Sequence, residues 1–245
     1  MTNQEISSIN DLKKLVTSLK NGRNEFVFRG QSKDWTLLPK IARDNYFSVD
    51  DEVKIFNEFK EKTLPYIIAT EREPESFPNN DFEWLTLGQH YGLKTRYLDW
   101  TQCNEVALFF AVDGIVESDG VVWIYELPPN ESDEWLPLGH RDILEKTPFQ
   151  FNIIKLYHPK SFLDTRTDNQ YALVSIHPYP WKSMEKIVDN KRLIKVSVLS
   201  HSKKIIRDEL YKKGVNHASL FMGIEGICRD INSKYDVTKG RGVAI

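Results

Sequence analysis

The chain has 245 residues, with 33 Lys and Arg against 35 Asp and Glu and a formal net charge of −2 at pH 7. Apolar residues make up 40 % and aromatics 12 %, a composition that excludes disorder over most of the chain. The charge balance argues against strong general nucleic-acid binding, which shows a basic excess, and two cysteines, Cys103 and Cys228, exclude a disulfide framework.

The first ten residues, MTNQEISSIN, hold no basic n-region and no apolar h-region. No run approaches the ~20 apolar residues of a membrane helix. A cytoplasmic protein with no membrane partner is expected. No repeat or low-complexity linker divides the chain. The expected fold is α+β, with a mixed or antiparallel sheet and an N-terminal helical portion. Residues 1–24 are read as an N-terminal helix, and residues 25–245 as one α+β unit with a long insertion at 128–160.

In chain order, Ile9, Leu12, Leu15, Val16 and Leu19 recur at helical spacing and predict a helix over 10–20. Asn10 is the expected N-cap, and Asn21-Gly22 the stop. A short strand follows at 25–28 and ends at Arg29-Gly30. A second helix is expected over 50–63, opened by Asp50 and Asp51 and closed before Pro65. A third covers 81–91, with Gly92 at its end. A fourth begins near Thr101 or Asn104. Its run Val106-Ala107-Leu108-Phe109-Phe110-Ala111 is apolar on nearly all sides and should be central.

The second half reads as strands at 121–125, 171–176 and 193–199, rich in β-branched and aromatic residues. The five prolines from Pro128 to Pro159 mark a long excursion, of the kind that often serves as a functional lid. A helix is expected over 202–213, with Ile205, Ile206 and Leu210 inward, and a last helix over 224–233.

Three polar segments are badly placed for an ordinary surface. In Phe28-Arg29-Gly30-Gln31, an arginine ends an apolar strand and a glycine follows. Such a guanidinium can hold a phosphate or carboxylate bidentately, or pair with a buried acid of the protein. The segment from Gly88 to Thr101 packs Gln89, His90, Tyr91, Thr95, Arg96, Asp99 and Trp100 between apolar helices. His90 suits a general base or a structural imidazole bonded to a carbonyl. Arg96 and Asp99 are spaced for a local ion pair, and Asp99 or Thr101 for a helix cap. Burying so many polar groups is costly unless they satisfy one another or a ligand. In the third segment Glu225 lies between Gly223 and Gly226. It could stabilise a cationic transition state, accept ribose hydroxyls, or simply complement the dipole of a helix start.

Other chemistries lack their signatures. The six histidines are scattered, and no HExxH or Cys/His zinc spacing occurs, so no metal is expected. Neither GxGxxG nor GxxxxGK[ST] is present, nor a GxSxG elbow. Lys182, Lys186, Lys191, Arg192, Lys195, Lys203, Lys204 and Arg207 form a loose basic region, expected as a solvated face.

Phe28-Arg29-Gly30-Gln31, followed by the run from Gln89 to Thr101, resembles the FRG domain family, named for its (Phe/Tyr)-Arg-Gly motif. The family pattern at the second motif is close to QHYGxPTRLLDWT; Lys94 stands for the usual Pro and Tyr97 for the usual Leu. The apolar helix after it matches as well. Late in the chain, Phe221-Met222-Gly223-Ile224-Glu225-Gly226 lacks the first acid of the family's ending. These are largely bacterial and phage-encoded domains, so the resemblance implies a defence or toxin role in bacterial or phage conflict.

An early Arg, a His/Tyr segment and a late Glu are together similar in layout to ADP-ribosyltransferases. That layout implies an ADP-ribosyltransferase-like sheet with NAD as substrate and Arg29, His90 and Glu225 as catalytic residues. Phe28, Gly30, Gln31, Gln89, Tyr91, Thr95, Arg96, Asp99 and Trp100 would line the substrate. The alternative is a non-catalytic module that binds a nucleotide, a nucleic acid or a protein. In a third reading, Arg29, His90, Arg96 and Asp99 form a buried network that fixes the core. The macromolecular target is not legible.

Overall fold

The structure, a computed structural model, describes residues 4–20, 25–43, 48–69, 77–115, 117–130, 132–137, 140–159, 170–221 and 223–235. Eight strands among them form one mixed sheet: β1 (Gln4–Ile6), β2 (Phe26–Gln31), β3 (Tyr97–Thr101), β4 (Gly120–Glu126), β5 (Trp135–Leu136), β6 (Lys155–Tyr157), β7 (Ala172–Ile176) and β8 (Leu193–Val198). Their order is β1-β8-β4-β2-β3-β7-β6-β5. Only the two outer pairs, β1 with β8 and β5 with β6, are parallel. The fold is α+β with a mixed sheet, as expected.

The sheet is covered on both faces, which explains why its strands read as continuous apolar runs. On one face Phe26, Phe28, Val122, Ile124, Val196 and Val198 meet α1 (Ile9–Leu19), α4 (Asn104–Val112) and α6 (Lys203–Lys212). The other face of β2, β3 and β4 buries Val27, Leu98, Trp100, Trp123 and Tyr125 against Leu37, Ile154 and Met184 from connecting segments. A third cluster joins Tyr97, Val174 and Ile176 of the sheet to α2 (Val49–Ala69) and α3 (Asp81–His90). Three shorter or later helices complete the described chain: α5 (Arg141–Glu145), α7 (His217–Leu220) and α8 (Gly223–Tyr235).

Several expectations need correction. The first helix starts at Ile9 and is capped by Ser8, which accepts the Asp11 amide, so Asn10 is not the cap; Asn21-Gly22 lie outside the described residues. Strand β2 does not stop at Arg29. It runs to Gln31, because Arg29, Gly30 and Gln31 pair with Trp123, Val122 and Val121 of β4. Helix α2 runs through Pro65 to Ala69. Its last turns expose Leu64, Tyr66 and Ile68, so solvent can take the carbonyl that loses its amide donor.

The excursion at 128–160 is not a structureless loop over its described length. It contributes β5, α5 and β6, and two of these are sheet strands. On α6 the inward stripe is Lys203, Ile206, Arg207 and Leu210, the i, i+3, i+4, i+7 set. Ile205 falls off that stripe and is exposed. Lys203 and Arg207 are fully buried, so the basic region is not one solvated face.

Candidate functional site

The central feature is a split in the sheet. Strands β2 and β3 are paired at one position only, Phe28 opposite Thr101. Beyond it they part, and a cleft of about 330 Å³ opens between Arg29 and Gly30 on one side and Tyr97 and Asp99 on the other. Helix α3 supplies Thr86, Gln89 and His90, α4 supplies Phe110, and Phe221 closes the far wall. Thr86, Gln89 and His90 share one side of α3 because they are three and four residues apart.

Arg29 bridges the split. Where a strand amide would meet the Asp99 carbonyl, the Arg29 Nη1 donates to it instead, at 2.6 Å. The Asp99 carboxylate lies 4.0 Å from the same nitrogen. Among the described residues, that carbonyl is the one hydrogen-bond acceptor Arg29 finds, and its Nε is buried with none. Burial pulls the guanidinium below its usual pKa; Asp99 opposes this, and nearby Arg43 adds to it. An arginine remains charged through such a shift.

Gly30 is required by packing. A Cβ there would lie 1.8 Å from the Ala107 carbonyl oxygen, so α4 can rest on β2 only over a glycine. That contact places Phe110 at the cleft.

Asp99 is held by a relay. The Gln89 Nε2 donates to Asp99 Oδ1, and the Thr95 hydroxyl donates to Gln89 Oε1. The carboxylate is nonetheless mostly exposed, at 63 %. His90 lines the cleft, with its ring edge-on to Tyr91 at 4.7 Å. Gly92, at φ +97°, ends α3 in the left-handed conformation that glycine tolerates.

Thus Phe28, Arg29, Gly30, Gln89, His90, Asp99 and Trp100 gather at one cleft. Gln31 lies just beyond it, buried, accepting from the Trp123 indole at 3.0 Å. Thr95 sits behind Gln89, and Tyr91 points largely into solvent.

Arg96 and Glu225 lie elsewhere. Arg96 is wholly buried and makes a two-pronged contact with Glu52 of α2, both N–O distances 2.9 Å, while its Nη1 donates to the His177 carbonyl at 3.1 Å. The expected Arg96–Asp99 pair does not form: Arg96 stands in a bend just before β3, and its guanidinium is taken by Glu52. Asp99 caps no helix, and Cys103 occupies the N-cap position of α4. Thr101 Oγ1 instead accepts the Cys103 amide at 3.0 Å. Glu225 lies in the first turn of α8, half exposed, and accepts from Arg229 at 2.8 Å. It is not among the residues lining the cleft.

Sequence reasoning missed Thr86, Phe110 and Phe221, although Thr86 lies one turn before His90 on α3. It also missed the layer under the cleft. There His177 is fully buried, its Nε2 is 3.2 Å from the Ser175 hydroxyl, and that hydroxyl accepts the Trp100 indole at 2.9 Å. Desolvation, with Arg29 and Arg96 nearby, pushes His177 down to a pKa of about 3, so the ring is neutral at pH 7. Among the described residues no group of three or more His, Cys, Asp or Glu could hold a metal, and no helix is long and apolar enough to cross a membrane.

Fold and site together define an α+β domain whose antiparallel strands part around an arginine at the mouth of a polar and aromatic cleft. Residues 24–120 match the family model of the FRG domain, and the chain carries that domain. The match spans both motifs and α4 and ends at the first residue of β4. No curated protein and no solved structure matches the chain.

Proposed function

We propose that the cleft binds a nucleotide, with Arg29 holding a phosphate. The observation that carries this is the unsaturated guanidinium: Arg29 is charged, sits at the split, and has a single hydrogen-bond acceptor among the described residues. A phosphate would take the remaining Nη donors in the charge-assisted manner arginine favours. The walls suit the rest of a nucleotide. Phe110 and Phe221 offer apolar surface to a ring, and Asp99, steadied by Gln89, is placed to accept sugar hydroxyls.

Isothermal titration with AMP and ribose 5-phosphate tests it. Both should bind to wild type, and Arg29→Ala should weaken both at least ten-fold while keeping its fold. Equal binding by the two proteins would refute the assignment.

One observation favours a second, catalytic reading. The cleft holds a carboxylate, Asp99, next to the anion-binding arginine. In glycosyl transfer from NAD, the bond from ribose C1 to nicotinamide breaks with its electrons leaving on nicotinamide, and an acceptor nucleophile adds at C1. A carboxylate beside the oxocarbenium-like ribose stabilises that charge. ADP-ribosyl transfer of this kind would suit a defence or toxin role. The assay is label transfer from NAD to cell protein, DNA or RNA; the reading fails if wild type and Asp99→Asn give the same background.

A further inference from the structure

Arg29 faces a second cleft. This one is about 580 Å³ and is lined by Gln31, Trp35, Arg43 and Asp113, among others. Arg29, Gly30 and Phe110 line both clefts, so the two adjoin at Arg29.

The second cleft has its own recognition groups. Trp35 is 47 % exposed, although a tryptophan is among the residues that gain most from burial. Arg43 donates its Nε to the Leu38 carbonyl at 3.0 Å, which fixes the guanidinium, and its Nη groups find no acceptor among the described residues. It forms no ion pair among the described residues. Two arginines therefore face one cleft and repel each other, as the downward pull of Arg43 on Arg29 records. An anion between them removes that repulsion. The acid on this side, Asp113, holds its Oδ2 3.0 Å from the Nε2 of His217.

We propose that the two clefts together take a dinucleotide, two nucleosides joined through a pyrophosphate. The pyrophosphate lies between Arg29 and Arg43, one base stacks on Trp35, and the other nucleoside occupies the cleft beside Gln89, His90 and Asp99. This rests on the reading of the first cleft as a nucleotide site and adds the second half of the ligand. A single phosphate would use Arg29 alone. Two guanidiniums and a separate stacking surface match a ligand with two phosphates and two rings.

The test is titration calorimetry with carba-NAD, whose glycosidic link resists cleavage, and with ribose 5-phosphate. Wild type should bind carba-NAD at least ten-fold more tightly than ribose 5-phosphate. Trp35→Ala and Arg43→Ala should each weaken carba-NAD about ten-fold, yet leave ribose 5-phosphate within two-fold. Trp35→Phe, which keeps a stacking face, should restore most of the loss, and equal melting temperatures confirm that each variant is folded. If Arg29→Ala abolishes ribose 5-phosphate binding but Trp35→Ala leaves carba-NAD unchanged, the dinucleotide assignment is overturned while the phosphate site stands. If neither probe binds wild type, the nucleotide reading of the first cleft falls and this inference falls with it.

Discussion

Two arginines of the FRG motifs, Arg29 and Arg96, have opposite surroundings. Arg96 is sealed in the core with three well-formed hydrogen bonds, two to Glu52 and one to the His177 carbonyl, and Phe149 lies against its face at 5.0 Å. Arg29 sits 15 % exposed at a cleft, and among the described residues it has one bond to a carbonyl and a buried Nε without an acceptor. The first is saturated by the protein, and the second has donors to spare. The number of protein acceptors a guanidinium finds therefore separates an arginine saturated by the fold from one with donors to offer, which residue type alone does not do.

The largest expected effect breaks the saturated side. Arg96→Ala strands Glu52 in the core, and removing one partner of a buried pair costs roughly 3–5 kcal/mol. Glu52→Gln should also destabilise. The double variant Arg96→Met with Glu52→Met replaces both charges by apolar volume and should lose less than Arg96→Ala does. Urea unfolding of the three proteins decides; a double variant worse than the single would show that the pair contributes net stability.

Next is Gly30, where the fold meets the cleft. Gly30→Ala drives a methyl into the Ala107 carbonyl, a contact no side-chain rotation relieves. Overpacking of this kind costs roughly 3 kcal/mol. A Gly30→Ala protein as stable as wild type would mean that α4 can move off β2.

His177 links the two arginines from below. Unfolded, its ring takes a proton near 6.5; folded, only near 3. Between these values the unfolded chain binds more protons, so stability falls as pH drops through 6.5 toward 3. The loss is at most about 1.4 kcal/mol per pH unit, hence about 2 kcal/mol by pH 5. His177→Gln should flatten that part of the stability curve, as read from urea midpoints at pH 7 and pH 5.

Much of this arrangement was legible in the chain. The central helix, the strand at 121–125 and the crowding of polar residues between Gln89 and Trp100 follow from period and composition. The rest was hidden for identifiable reasons. Strands β1, β5 and β6 have three residues or fewer, too short for any period to show. Strand β3 carries Asp99 on its open side and so reads as a polar connection. The Arg96–Glu52 pair joins residues 44 apart, which spacing arguments cannot reach. Trp35 and Arg43 belong to an irregular segment whose use depends on where β2 delivers it.

Arg29→Ala should behave unlike Arg96→Ala. It uncovers one carbonyl beside an open cleft, a cost of roughly 1 kcal/mol. Urea unfolding near that of wild type, together with lost phosphate binding, would hold the contrast between the arginines; a loss as large as that of Arg96→Ala would erase it.

The smallest effect is expected at Glu225. Its carboxylate stands in the first turn of α8, where the helix dipole favours it, and reaches Arg229 one turn on. Exposed pairs of this spacing are worth about 0.3–0.5 kcal/mol and are screened by salt. Arg229 also lies over Phe221, 4.3 Å from the ring centre, and Phe221 forms the far wall of the cleft. Glu225→Gln therefore has one route to the ligand, through Arg229 and that ring, and the route is indirect. Stability should change by less than about 0.5 kcal/mol, and ribose 5-phosphate affinity should stay within two-fold. A ten-fold loss of affinity with unchanged stability would bring Glu225 into the site after all, and would mean that α8 closes on the cleft when the ligand is bound.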